Sequence, residues 1–356
     1  MQSCSLLTLT LNLTSVSPEL DSFGQVSLDA MITPRMRQRD LLKKAFIQTY
    51  GCQMNEHDTH QMMGVLAREG YAVSESPEGA DLVLINTCSV RHNPENKVYS
   101  QLGRLRELKH SNPGMVIGVG GCVAQQEGES ILEREKTVDM VFGPDNLFRL
   151  PEMIERVRQG ERVLMTKWQP HDRRVQNFIP EEWVEQGHVD GCKAFVTITK
   201  GCDNFCSFCV VPYTRGREVS REPENTLREV RALVAQGARE IWLLGQKVTS
   251  YRVPAALGGG AWASPPCHGD YGFYELLDAV SQVPGLARVR FTSPHPNDWT
   301  DALSELMASR KTICNQLHLP FQSGSDRILQ LMRGSTRRRS ICGRFGTCGR
   351  SIRNSR

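Results

Sequence analysis

The sequence predicts an α/β protein in two parts: an N-terminal parallel-sheet unit, then a second β/α series that stops before it can close into a barrel. Two observations predict this. Short apolar runs alternate with amphipathic stretches of helical period, twice over, on either side of a polar segment. Cysteines or glycine-rich turns also follow the ends of several runs, and open parallel sheets place their ligands along that edge.

In chain order, 45–49 reads as a short buried strand that runs into the Gly51-Cys52 turn. Residues 58–69 carry Met62, Met63, Val65 and Leu66 at helical spacing, and Gly70 suits the helix C-terminus. A second strand, 81–86, ends at Thr87-Cys88, and 97–108 is an amphipathic helix. A third strand, 115–120, ends at Gly121-Cys122. Residues 161–190 mix Pro, His, Trp and charges and read as a linker. The second series has strands at 194–199, 240–244, 287–291 and 316–319 and helices at 222–236 and 273–282. A Gly/Pro-rich insertion lies at 258–266. The expected division is a disordered N-terminal extension at 1–44, a first domain at 45–160, the linker at 161–190, a second domain at 191–332 and a disordered tail at 333–356.

The net charge of +4 is a property of the tail. Residues 333–356 hold eight arginines and no acid, so the preceding residues sum to −4. The overall basic balance therefore says little about the partner of the body. No run of about 18 apolar residues is present, and no membrane-spanning helix is expected. The first thirty residues lack Lys and Arg but contain Glu19, Asp21 and Asp29, unlike a secretory or transit peptide. With 12 cysteines in clusters rather than a disulfide framework, a reducing cytoplasm is the expected location.

Six cysteines carry the chemistry. Cys202, Cys206 and Cys209 form C-x3-C-x2-C directly after a strand, while Cys52, Cys88 and Cys122 each follow a separate strand. Three thiolates can hold a four-iron cluster and leave one iron open to a small molecule. Zinc is the alternative for the tight set, with Cys192 or a distant histidine as fourth ligand, but no second CxxC pair accompanies it. The alternative for the spread set is three small core residues.

The tight motif resembles that of the radical S-adenosylmethionine (SAM) superfamily. Thr49-Tyr50-Gly51-Cys52-Gln53-Met54-Asn55, Asn86-Thr87-Cys88-Ser89-Val90-Arg91, Gly120-Gly121-Cys122-Val123-Ala124-Gln125 and the run Gly201 to Glu218 together resemble the radical SAM methylthiotransferases. The resemblance covers roughly 45–332. It implies an N-terminal methylthiotransferase domain followed by an incomplete radical SAM (βα) partial barrel. It also implies two [4Fe-4S] clusters, on Cys52, Cys88 and Cys122 and on Cys202, Cys206 and Cys209, with SAM as cosubstrate. SAM contacts are expected from Phe208, Gly245, Gln246, Ser293, Gln322 and Ser323. Arg215 and Arg217 are expected either to contact RNA phosphate or to lie in a solvated or ion-paired loop.

Gly-Cys-Gln-Met-Asn and Tyr-Thr-Arg-Gly-Arg-Glu resemble the branch that transfers a methylthio group to C2 of N6-isopentenyladenosine, at position 37 beside the anticodon of tRNA. The implied partners are the tRNA anticodon stem-loop and an electron donor, with a monomeric protein and no membrane. Sister activities on threonylcarbamoyladenosine or a ribosomal-protein aspartate are the alternative, and a non-enzymatic metal-binding remnant is the alternative of another class. Two departures stand out: Lys247 where the family usually has Asn after Gly-Gln, and an arginine-rich tail where the family continues with further strands. The tail leads to the expectation of a truncated or frameshifted, inactive chain.

Overall fold

The computed structural model describes residues 43–89, 92–168, 175–257, 269–320 and 322–333, with side chains of 92–97 excepted. Residues 1–42 of the extension expected at 1–44, the 258–266 insertion and residues 334–356 of the tail expected at 333–356 lie outside the described residues.

The first part is a six-stranded, all-parallel sheet of β1 (Lys43–Thr49), β2 (Tyr71–Val73), β3 (Leu82–Thr87), β4 (Val116–Gly121), β5 (Met140–Phe142) and β6 (Val163–Met165). Their spatial order is β2-β1-β3-β4-β5-β6. β3 is buried along its whole length, as expected of a central parallel strand covered on both faces. Its alternation divides the core. Leu82 and Leu84 join Met62, Val65 and Leu66 of the Gln53–Arg68 helix, whereas Val83 and Ile85 join Leu102 and Leu105 of the His92–Ser111 helix.

Because the chain passes from β1 outward to β2 and back to β3, the direction of winding reverses between β1 and β3. A crevice opens there at the carboxyl ends. Three of the six strands are three residues long and were not expected. One of them, β6, corrects the 161–190 linker, whose first residues complete this sheet.

The second part is built on a four-stranded sheet. A hairpin joins β7 (Val189–Asp190) antiparallel to β8 (Lys193–Thr197). β8, Glu240–Leu244 and Arg288–Phe291 then run parallel. Helices Pro223–Ala235, Phe273–Ser281 and Asp301–Ser309 supply Val230, Leu233, Leu276, Leu277, Leu303 and Met307 to the core behind them.

The strand expected at 316–319 is not formed. A single bridge, Val289 to Ile313, with Val289 N–H on Thr312 O (2.7 Å) and Cys314 N–H on Val289 O (2.9 Å), is all the pairing that continues the sheet there. The chain leaves the sheet after Cys314. Leu319 is still buried, so its apolar signal was real, but it reports packing rather than a ladder. No helix among the described residues is long and apolar enough to cross a membrane.

The Gln53–Arg68 helix also faces β8. Met54 packs with Phe195 and Leu244, and His57 Nδ1 lies 3.1 Å from Thr197 Oγ1. Burial first, then the charges of His60, Arg221 and Arg215, push His57 down from 6.5 to about 3. Unfolded His57 takes up a proton below 6.5, whereas the folded residue resists to about 3. Stability is therefore expected to fall as pH drops from 6.5 toward 3. Urea midpoints measured across that window check this, and His57→Gln is expected to flatten the slope.

Candidate functional site

Cys52 is the N-cap of the Gln53–Arg68 helix, at the end of β1. Gly51 before it has φ +146°, and a Cβ there would come within 2.6 Å of Cys88 Cβ, so the close approach of the β1 and β3 loops requires glycine. Buried Asn55 fastens the two loops. Its Nδ2 donates to Asn86 Oδ1 (3.1 Å) and to Thr87 O (2.9 Å), and Asn86 Nδ2 returns a bond to Asn55 O (2.8 Å). Thr87 Oγ1 donates to Gly120 O (2.7 Å), which ties β3 to β4 just ahead of Cys122. Gly121 adopts φ +93°, with Thr87 O 2.4 Å from where a Cβ would stand. The loops that carry the three spread cysteines are thus tied together at the carboxyl ends of β1, β3 and β4. Asn55, Asn86 and Thr87 lie inside the quoted motifs, yet their clamping role was missed, because asparagine beside a turn normally signals only the turn.

The Cys52 thiol is pulled down to about 6, chiefly by its hydrogen bond with Cys88, then by Asn55 and Arg215 against burial. In cluster-free protein, alkylation of Cys52 is expected to titrate near pH 6. Cys88→Ala is expected to move that midpoint back toward the ordinary thiol range. Mass-mapped iodoacetamide labelling against pH measures both.

Arg215 was expected to face RNA phosphate or to be ion-paired, and the second outcome holds. Its guanidinium is 8% exposed and lies 2.6 Å from the Asp58 carboxylate, itself 9% exposed. Arg217 takes the opposite orientation. Its side chain is 67% exposed, holds Asp203 (Nε to Oδ1, 2.6 Å) and lies over the Phe205 ring at 5.4 Å.

The tight cysteine loop springs from the antiparallel pair Thr199–Lys200 and Val219–Ser220. Gly201, at φ +74°, leaves a Cβ only 2.0 Å from Arg217 O. Gly201 N–H donates to Gln246 Oε1 at 2.6 Å, Cys202 N–H to Gly216 O at 3.1 Å and Cys209 N–H to Cys206 O at 3.0 Å. Burial pushes the Cys202 and Cys206 thiols upward. The loop is also held by Ser207, whose Oγ donates to Leu331 O (2.9 Å) and whose N–H donates to Met332 O (3.0 Å).

A cavity of about 220 Å³ has Cys52, Gln53, Met54, Gly245, Thr292, Ser293 and His318 in its wall. Two of the expected SAM contacts, Gly245 and Ser293, therefore share a space with a cysteine of the first trio. Ser293 adopts φ +57°, a strained conformation for serine of the kind that gathers at functional sites. The other expected contacts lie outside that wall. Gln246 is bound to Gly201, Phe208 is 56% exposed, Gln322 is exposed at φ +63°, and Ser323 Oγ accepts from Ser325 N–H. Lys247 Nζ is directed to Asp298 Oδ2 at 2.9 Å, which neutralises the cation that the sequence put beside SAM. His295 Nδ1 accepts from Asn297 N–H (3.2 Å), a turn-capping role. Among the described residues no three His, Cys, Asp or Glu side chains are gathered closely enough to hold a single metal ion. The case for clusters rests on the all-thiol donor sets and their positions.

Two family models match the chain. The uncharacterized protein family UPF0004 covers residues 44–143, and the radical SAM superfamily covers 196–341, past the Met332 limit of the motif resemblance. Curated proteins named tRNA-2-methylthio-N(6)-dimethylallyladenosine synthase are similar over most of the chain. The protein of Paraburkholderia xenovorans (strain LB400) is 46% identical over 294 residues, 82% of this chain and 61% of its own length. That of Jannaschia sp. (strain CCS1) is 45% identical over 306 residues, 86% of this chain and 62% of its own.

Residues 196–341 match the radical SAM superfamily, and most of the chain is similar to these synthases.

The chain spans about three-fifths of the length of these relatives. Solved radical SAM enzymes share the fold at low identity. The methyltransferase TsrM from Kitasatospora setae gives a TM-score of 0.55 at 14% identity, covering 87% of this chain and 66% of that one. OxsB gives 0.52 at 10%, covering 89% and 48%. Cys52, Cys88 and Cys122 fall in the UPF0004 region and Cys202, Cys206 and Cys209 in the radical SAM region.

Proposed function

We propose that this chain carries the two cluster sites of a tRNA methylthiotransferase, which places a methylthio group on C2 of N6-isopentenyladenosine beside the anticodon. The observation that carries the reading is the shared cavity, where Cys52 of one cysteine set and the strand ends Gly245 and Ser293 of the other sheet face the same space. A reaction that joins sulfur to a carbon activated at the second site needs that proximity.

Two soft, all-thiolate donor sets suit iron–sulfur clusters. Cys52, Cys88 and Cys122 would hold one [4Fe-4S] cluster, and Cys202, Cys206 and Cys209 the other. When bound, the clusters and SAM supply the electron, the carbon radical and the sulfur for the transfer. The protein's own residues orient and enclose. Asn55 and Asn86 fix the first cysteine loops, and Gln246 fixes Gly201 ahead of Cys202. Gly245 and Ser293 line the cavity that SAM would enter, and Gln322, Ser323 and Phe208 would close over it on binding. Arg217, exposed and paired with Asp203, would exchange that carboxylate for an RNA phosphate. A monomer served by a separate electron donor in the cytoplasm completes the reading.

The test is anaerobic reconstitution with iron and sulfide, then incubation with SAM, reductant and an anticodon stem-loop bearing N6-isopentenyladenosine. Gain of a methylthio group in place of hydrogen, read by nucleoside mass spectrometry, supports the proposal. Two clusters without transfer would keep the sites and overturn the reaction. Transfer to threonylcarbamoyladenosine or to a protein aspartate instead would move the chain to a sister activity.

A further inference from the structure

Trp168, Phe205, Phe208, Tyr213 and Leu331, more than half of the large apolar side chains exposed among the described residues, lie on residues 201–218 or against them. Phe208 is assigned to SAM above. Phe205 and Tyr213, 41% and 67% exposed, meet edge to face with ring centroids 6.2 Å apart. The Arg217 guanidinium lies 5.4 Å from the Phe205 ring. Trp168 stands against the neighbouring Gly216, where a Cβ would come within 3.2 Å of its ring. Phe205 is held at φ +45°, a conformation that strains a bulky residue. Proteins rarely gather exposed apolar surface without something to cover it.

The charge beside the rings decides the occupant. Arg217 is exposed, and exposed Arg333 follows Met332, whose carbonyl accepts from Ser207 N–H at 3.0 Å. A second copy of the chain would bring the same arginines face to face, and like charges opposed across an interface repel. Flat rings set beside guanidinium groups suit unpaired nucleobases, which offer a π-face to a ring and a phosphate to arginine. We propose that Phe205, Tyr213 and Trp168 form a stacking platform for the unpaired bases of an RNA loop, with Arg217 on an adjoining phosphate. The proposal rests on the RNA reading above and supplies its recognition surface. Bases seated there hold the RNA beside the second cysteine set.

The experiment measures binding of a fluorescein-labelled anticodon stem-loop bearing N6-isopentenyladenosine to the full, reconstituted chain by anisotropy, against a fully paired RNA duplex of equal length. Tyr213→Ala and Trp168→Ala are each expected to weaken the stem-loop about tenfold and leave the duplex unchanged. Tyr213→Phe is expected to keep parental affinity, because the ring remains. Arg217→Gln is expected to weaken both RNAs alike and flatten the salt dependence. Tyr213 and Trp168 are exposed, so iron content and circular dichroism should stay at parental values in their variants. Alanine variants that bind like the parent, or a parent that binds duplex as well as stem-loop, would overturn the platform. RNA-free chain that self-associates through Tyr213 would give the surface to a second copy and overturn it too. Methylthio transfer with binding unchanged in the alanine variants sinks the platform and keeps the proposed function. Ring-dependent binding without transfer does the reverse.

Discussion

Cys206→Ala is expected to remove one whole cluster and every SAM-dependent signal with it. Three thiolates are the minimum that holds a four-iron cluster with one open iron, so loss of one ligand is not made good by the remaining two. Iron should fall by about four per chain. The reductive cleavage of SAM to 5′-deoxyadenosine, and the change SAM makes to the reduced cluster's paramagnetic spectrum, should vanish. The fold should survive, because the loop is held by backbone and Ser207 contacts that alanine leaves in place. Cys192→Ala and Cys314→Ala, outside both trios, are the matched controls and are expected to retain all iron. Iron and sulfide assays, SAM cleavage and far-ultraviolet circular dichroism on the three variants measure this. Parental iron content in Cys206→Ala would contradict it.

The largest stability effect is expected at Arg221, which anchors the return arm of the same loop. Its side chain is fully buried, 2.5 Å from Glu229, and also donates to Asn225 Oδ1 (3.0 Å) and Thr197 O (2.9 Å). Its carbonyl accepts from Tyr251 Oη at 2.7 Å. Arg221→Met would leave Glu229 buried without a cation, in surroundings that already push its carboxyl upward through burial. Removing one member of such a pair costs about 3–5 kcal/mol. The double variant Arg221→Met/Glu229→Leu should recover most of that loss, since the remaining charge is what costs. Urea unfolding followed by tryptophan fluorescence reads both. A single variant as stable as the parent would sink the account of this pair.

The sequence carried the central fold well where one residue run decides one element. The apolar stretch read as a strand at 81–86 is β3, buried along its length, and the cysteines after β1, β3 and β4 follow the carboxyl edge of its sheet. Periodicity could not show β2, β5 and β6, because three residues make no period. It also misread 316–319, where Leu319 is buried by packing without a strand partner beside it.

Within the site, Gly245 and Ser293 were legible as strand ends. The inward turn of Arg215 was not, because its partner Asp58 lies far away in sequence and on the other sheet's helix. The pairing of Lys247 with Asp298 was hidden for the same reason, as a bond between two strand-end loops that only the fold brings together.

The central claim is that the two cysteine sets hold clusters close to one another, with Cys52 of the first set and the strand ends Gly245 and Ser293 of the second sheet facing one cavity. The most direct measurement is the paramagnetic resonance spectrum of the reconstituted chain with both clusters reduced. It should be compared with the two triple-alanine variants that each retain one cluster. The account predicts eight irons falling to about four in each variant, and a parent spectrum broadened by magnetic coupling between neighbouring spins. A parent spectrum equal to the sum of the two variants would contradict the shared cavity. Full iron retention on loss of Cys52, Cys88 and Cys122 would contradict the first site outright.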